Sequence, residues 1–287
     1  MRRAFLIGRH IEHSLSPAMY NAAFASRGRD ISYELFDLPA AELERGFERL
    51  RQPDCVGANV TMPHKRAAAL EADVRSDEVR RSAAANLLVR SGSKLLAYNT
   101  DVDALVANLS RRRRSVEAGR ALLIGAGGAA SAVLEAFRAV MPRAVVLVAR
   151  RREAAEQLAR EAASWLSAPL AVAPWEEVRG AARDAALIVN ATPIGMRQED
   201  GSALAAEDLA EGRLVYDLVY RRGGLTELQR QALAAGAPVC DGLHHLLEQA
   251  LPSYERYAGE EAPREVMLRA LEAAVGRSPL DWGSDPP

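Results

Sequence analysis

The chain of 287 residues is short of three things, and each shortage excludes something. Its two cysteines, Cys55 and Cys240, are too few for a disulfide framework and lack metal-ligand spacing. A reducing compartment therefore fits, and no metal is expected. Neither sign of charge dominates: 37 Lys and Arg face 38 Asp and Glu, so nothing draws the chain toward nucleic acid or an anionic membrane. Long apolar runs are missing too. The opening MRRAFLIGRH holds only four apolar residues in a row, too few for a signal peptide. No run reaches the roughly 18 residues that span a bilayer. The expectation is a soluble, cytoplasmic protein.

What is present is a large apolar fraction, 49%, beside 26% charged residues, as in ordinary globular proteins. A chain of this length is expected to form one large or two medium domains. Short apolar runs alternate with longer amphipathic ones, without internal repeats or low-complexity segments. Strands are expected at AFLIG (4–8), SYELFDL (32–38), VGANV (56–60), NLLVR and KLLAYNT, the last two joined as a hairpin by Ser91-Gly92-Ser93. Further strands are expected at RALLIG, AVVLVA (144–149), LAVAP (170–174), ALIVNAT (186–192), RLVYDLVY (213–220) and APVCDG (237–242). Helical runs separate most of them, and strands apolar on both faces argue for parallel sheet covered by helices. Two α/β domains follow, residues 1–101 with 242–287 and residues 102–241, the final helices packing back on the first. Arg111-Arg112-Arg113-Arg114 reads as a solvated helix end or linker, and SPLDWGSDPP as a loose tail.

The second domain opens with LLIGAGGAA, a strand running into a Gly-rich turn and an Ala-rich helix. Gly125, Gly127 and Ala130 form G-x-G-x-x-A, whose small residues permit a sharp turn and close approach of a pyrophosphate. The backbone from Gly125 through Ala126, Gly127, Gly128 and Ala129 is thus the candidate phosphate cradle, helped by the free amides of the helix N-terminus. A carboxylate about 20 residues on would hold the ribose of NAD. The second strand ends instead in Arg150, Arg151 and Arg152, whose guanidinium groups suit a 2′-phosphate, so NADP is preferred.

The first hundred residues place three polar clusters at strand ends: HSLSP (13–17), NVTMPHK (59–65) and YNTD (98–101). Together they suggest a pocket of hydroxyls, amides, one ammonium and one carboxylate, suited to a polyhydroxylated ligand. With GRHIEHSLSP (8–17), GAGGAA (125–130), NATPIGM (190–196), DLVY (217–220) and GLHHLLEQ (242–249), in order along the chain, the sequence resembles the shikimate dehydrogenase family.

That resemblance implies an N-terminal α/β substrate domain plus a Rossmann-like, doubly wound NADP-binding domain. It implies reversible reduction of 3-dehydroshikimate to shikimate with NADPH, in the route to chorismate and the aromatic amino acids. Lys65 and Asp101 fall on the family's catalytic pair. A positioned ammonium can stabilise the charge developing on a ketone oxygen and donate its proton, and a carboxylate can hold that ammonium. Ser14 and Ser16 align with the serines that bind the substrate carboxylate; by residue type alone, Ser16 before Pro17 could equally cap a helix. Asn59, Thr61, Asn86, Tyr220 and Gln249 match substrate positions. Asn190, Thr192, Met196 and Gly242 match cofactor positions. A small-molecule substrate and a monomer or homodimer are expected.

The pattern is broken at His10, where the family has proline, at Tyr20 for histidine, at Leu87 for threonine, and at Ala104 for glycine. It is broken also at His245 for methionine, and VYRRGGLT carries an extra residue. These departures leave open a quinate or amino-analogue dehydrogenase, one preferring NAD, or a non-catalytic nucleotide-binding relative.

Overall fold

Local sequence dictates the elements plainly where burial has a period. The computed structural model describes residues 1–285. Its first strand, β1 (Arg2–Gly8), leads to α1 (Ser16–Ser26), whose buried Ser16, Met19, Tyr20, Ala23 and Phe24 follow the helical repeat. Then come β2 (Ile31–Asp37), α2 (Leu43–Leu50), β3 (Cys55–Val60), α3 (Lys65–Glu71), β4 (Val74–Arg75) and α4 (Asp77–Ser82). The hairpin is β5 (Leu87–Ser91) and β6 (Lys94–Tyr98), turning on Gly92 at φ 63°. After it run α5 (Thr100–Arg111), α6 (Arg113–Ala118), β7 (Arg120–Ile124), α7 (Gly128–Ala136), β8 (Ala144–Val148), α8 (Arg152–Ala162) and β9 (Leu170–Ala173). The chain finishes with α9 (Val178–Arg183), β10 (Ala185–Asn190), β11 (Leu214–Asp217), α10 (Glu227–Ala234), β12 (Val239–Cys240), α11 (Gly242–Ala258) and α12 (Arg264–Val275). The sequence pattern did not reveal β4 and α4: two residues carry no period, and DEVRRS has a single apolar residue.

The chain divides into two units. The first comprises Met1–Asp103 and Leu246–Gly276. Its six strands are ordered β2-β1-β3-β5-β6-β4, parallel among β1, β2 and β3 and antiparallel through the hairpin. Phe5, Ile7, Phe47, Leu50, Val60, Leu88 and Leu95 fill one face of this sheet, and α1 packs on α12. Gly57 is required where β3 meets β5, because a Cβ there would lie 2.2 Å from the Leu88 carbonyl oxygen.

The second unit comprises Ala104–His245 and the tail from Arg277. Its sheet is parallel throughout, in the order β12-β11-β10-β7-β8-β9. Counted from β7, this is the doubly wound order of dinucleotide-binding folds. Of the three crossings of the chain between units, two fall inside helices, α5 and α11, and the third follows α12.

Two expectations fail together. The C-terminal tail is not loose: Trp282 is buried against the Tyr216 ring, and Asp281 bonds Arg111 at 2.8 Å. Arg112 donates to the Trp282 carbonyl, and Asp285 accepts from the Arg114 amide and the Ser115 hydroxyl. The arginine run is therefore the dock for the tail, not a bare linker, and residues 277–285 belong with the second unit instead of the first. Composition could not show this, because the tail's anchors are single side chains without a period. Pro286 and Pro287 lie outside the described residues.

Candidate active site

Topology alone brings the polar clusters of the first unit to one sheet edge. Neighbouring parallel strands β1 and β3 end at Gly8 and Val60, so the loops bearing Ser14, Ser16 and Thr61 leave from the same end. Antiparallel β5 starts there, with Leu87 opposite Asn59 and Tyr98, which places Asn86 and the start of α5 beside them. Gly8 lets the first two loops meet: a Cβ on it would lie 2.5 Å from the Thr61 methyl and 2.6 Å from Ile11.

Lys65 is the first residue of α3, where the peptide dipoles disfavour a cation. Asp101 offsets this. Its Oδ2 accepts from Lys65 Nζ at 2.5 Å, and both side chains are mostly buried, at 14% and 8% exposure. The carboxylate sits in the first turn of α5, where negative charge is favoured. Its Oδ1 accepts from Asn86 Nδ2 at 2.9 Å. Asn86 also accepts the Thr100 amide at 2.7 Å and donates to Thr100 Oγ1 at 2.9 Å, tying β5 to the helix start. Gln249 Oε1 lies 3.4 Å from both Asn86 Nδ2 and Thr100 Oγ1. The other two Lys65 ammonium hydrogens have no acceptor among the described residues. This is a cation held from one side and open on another. His64, buried next to it, donates from Nε2 to the Leu38 carbonyl at 2.8 Å and so anchors the loop.

Ser14 Oγ accepts the Ser16 amide at 3.2 Å, while the α1 N-cap is Leu15 without a side-chain bond. Ser16 is thus not the helix cap that its position before Pro17 suggests. The hydroxyls of Ser16 and Thr61 have no hydrogen bond within the described residues. Asn59 is different, for all four of its hydrogen-bonding positions are taken. Its Oδ1 accepts from Tyr33 at 2.9 Å and Tyr257 at 3.1 Å, and its Nδ2 donates to Ser253 Oγ at 3.1 Å and the Asn86 carbonyl at 3.4 Å. Tyr220 follows β11, in the second unit.

In that unit, Gly125 has φ 117°, and a Cβ on it would lie 2.7 Å from the Ala191 carbonyl oxygen. Gly127, the N-cap of α7, has open space around it and makes no side-chain cap, so the first amides of the helix, on Gly128 and Ala129, keep no side-chain partner. Ala126 is half-buried in the same turn. These features fit a pyrophosphate. Arg150 and Arg151 are exposed at the end of β8, without a partner among the described residues, whereas Arg152 is paired to Glu156 at 2.8 Å. Gly242 is fixed by packing: a Cβ would lie 2.5 Å from the Val219 backbone. Asn190 and Thr192 bond each other at 2.7 Å, and Asn190 Nδ2 donates to Ile194 O at 3.2 Å and Asp217 Oδ1 at 2.8 Å. Met196 is half-buried in the loop they shape.

Asp217 escaped the sequence reading, although DLVY contains it. It is fully buried and accepts from Asn190, the Val219 amide, Thr226 Oγ1 at 2.6 Å and Gln229 Nε2 at 2.9 Å. Burial pushes its carboxyl up to about 6 against the pull of those donors. Thr100 and Ser253 were missed as well. Thr100 lies within the NTD motif, and Ser253 lies four residues after Gln249, on the same helix face.

Several departures lose their significance here. Leu87 is fully buried in β5, and His245 and His244 bond Tyr216 and Asn108, each at 2.9 Å, within the second unit. His10 has φ 56°, a backbone that proline cannot adopt. His10, Glu12 and Asp37 do bring possible metal ligands within 4.8 Å of one another, all exposed. Asp37 there already pairs with Arg9 at 2.8 Å and the Ile11 amide at 3.1 Å. Among the described residues, no helix is long and apolar enough to cross a membrane.

A family model of the shikimate dehydrogenase substrate binding domain matches residues 6–88. Over 280 residues the chain is 36% identical to the shikimate dehydrogenase (NADP(+)) of Symbiobacterium thermophilum, covering 96% of this chain and 95% of that protein. The crystal structure of shikimate 5-dehydrogenase from Thermus thermophilus, in complex with NADP(H) and shikimate, matches with a TM-score of 0.82 and 33% identity, over 96% of this chain and 100% of that one. Quinate dehydrogenase from Corynebacterium glutamicum, in complex with NAD, matches with a TM-score of 0.85 over 95% and 99% of the chains; at 24% identity this is a likeness of fold.

Proposed function

The chain belongs to the shikimate dehydrogenase family, and on that premise we propose that it reversibly reduces 3-dehydroshikimate to shikimate with NADPH, in the route to chorismate and the aromatic amino acids. The observation that carries the catalytic part is the buried Lys65–Asp101 pair, with two ammonium hydrogens left over. As the substrate ketone becomes an alkoxide, Lys65 stabilises the charge and delivers a proton; in the reverse direction it takes the proton back. Asp101, fixed by Asn86, keeps the ammonium aimed. Ser14, Ser16 and Thr61 supply hydroxyl donors for the substrate carboxylate and ring substituents, joined by Asn86, Gln249 and Tyr220. NADPH, when bound, supplies the hydride. Gly125 to Ala129 hold its pyrophosphate, Arg150 and Arg151 its 2′-phosphate, and Asn190, Thr192, Met196 and Gly242 shape the loops beside its nicotinamide.

The buried free thiols of Cys55 and Cys240 support a reducing, cytoplasmic setting, and the enzyme acts on its small-molecule substrate as a monomer or homodimer. The test follows NADPH absorbance with 3-dehydroshikimate, then with 3-dehydroquinate and with NADH. Lys65→Ala should lower kcat by about 10²–10⁴ with the first substrate. Near-normal turnover of that variant would remove Lys65 from the chemistry, and a preference for 3-dehydroquinate or NADH would reassign substrate or cofactor.

A further inference from the structure

Asn59 is the one polar residue of NVTMPHK whose hydrogen-bonding capacity is exhausted inside the first unit. Both of its oxygen's acceptor positions face tyrosine hydroxyls, and both of its amide hydrogens face oxygens. The tyrosines are not ornamental packing. Tyr33 and Tyr257 are buried, and Tyr20, which replaces a histidine of the family pattern, stacks on Tyr33 with centroids 4.3 Å apart and meets Tyr257 edge-on at 6.0 Å.

From Asn59 the bonds continue in one sense. Its amide donates to Ser253 Oγ, which itself donates to the Gln249 carbonyl at 3.0 Å. With that hydrogen committed, the 3.1 Å contact between Ser253 and Thr100 must be donated by Thr100. Thr100 Oγ1 is then left to accept from Asn86, whose second amide hydrogen goes to Asp101. Two O–H donors aimed at one oxygen fix which way the Asn59 carboxamide faces. That orientation sets every later donor and acceptor as far as the Asp101 carboxylate, because a buried polar group without its partner is costly.

We propose that Tyr33 and Tyr257 clamp Asn59 as a positioning residue, which acts through Ser253, Thr100 and Asn86 to aim the Lys65–Asp101 pair and does not itself bind substrate. The proposal rests on the catalytic reading of that pair. Without the clamp the carboxamide can turn over, reversing the hydroxyl chain and loosening Asp101.

The experiment uses full-length Tyr33→Phe, Tyr257→Phe and the double variant, each assayed alone and combined with Lys65→Ala. The expected result is a fall in kcat of about 3- to 10-fold, a shifted pH profile of kcat, and an unchanged KM for NADPH. In the Lys65→Ala background the phenylalanines should lower the residual rate no further, since they act through the residue already removed. The side-chain ¹⁵N signal of Lys65 should exchange its protons faster in the double variant than in the wild type. Unchanged kcat and pH profile, or an equal further loss in the Lys65→Ala background, would overturn the clamp. So would a raised KM for 3-dehydroshikimate at constant kcat, which would make Asn59 a ligand. Should Lys65→Ala keep full turnover, the catalytic reading falls, while the ¹⁵N signal still decides whether the tyrosines hold Lys65. If the double variant does not fold, Tyr257→Phe alone carries the same readouts.

Discussion

Asp217 offers a quantitative check on how the second unit is built. Its carboxyl has no exposure, four donors and no charged partner among the described residues. Burial raises its pKa from 3.8 to about 6. Because the folded value lies above the unfolded one, the group stabilises the fold fully below pH 3.8 and loses that contribution as pH rises through about 6. The unfolded chain ionises first, and at about 1.4 kcal/mol per unit the span amounts to about 3 kcal/mol. Asp217→Asn removes the titration. The new amide also turns N–H groups toward Asn190 and Gln229, but that penalty does not depend on pH and cancels in a comparison across pH. The assay is urea unfolding of wild type and Asp217→Asn at a series of pH values between 4 and 7.5, followed by circular dichroism. The variant should gain about 2–3 kcal/mol relative to wild type from the bottom of that range to the top. A constant gap would refute the raised value, and a gap moving the other way would mean that the four donors outweigh burial.

Other expectations are simpler to state. Arg150→Ala with Arg151→Ala should raise the KM for NADPH far more than that for NADH; equal changes would take these arginines off the 2′-phosphate. His10→Pro should destabilise the protein by about 1–3 kcal/mol in denaturant titrations while His10→Gly is tolerated, because φ 56° suits glycine and excludes proline. Both tolerated alike would mean that the backbone there is not left-handed. Trp282→Ala should cost about 3–5 kcal/mol and lower the melting temperature, an effect that a free tail would not show.

How legible this molecule was depended on whether a signal repeats. Strands such as RALLI and helices such as α1 announce themselves by runs or periods, and the doubly wound order follows from their alternation. The Gly-rich turn was readable because its G-x-G-x-x-A spacing is distinctive, and Gly125 answers a steric demand that few residues meet. Lys65 and Asp101 could be nominated from strand-end position and family likeness, but not their 2.5 Å contact. What stayed hidden were single side chains whose partners lie far along the chain. Nothing local in the sequence marks Tyr33 and Tyr257, and 198 residues separate Tyr257 from the Asn59 it bonds. The arginine run and the acidic tail, read separately, each looked like surface; only their 170-residue pairings explain both.

The order in which the chain emerges during synthesis meets an awkward arithmetic here. The first sheet is fully made by Tyr98, with α2 and α3 already on one face, yet α11 and α12 arrive only after the whole second sheet. Trp282, which packs on Tyr216, follows every strand of that second sheet. The first unit therefore cannot complete its packing until the second has been made. Until then the surface of the first unit that α11 and α12 bury stays bare, an apolar patch of the kind that chaperones bind.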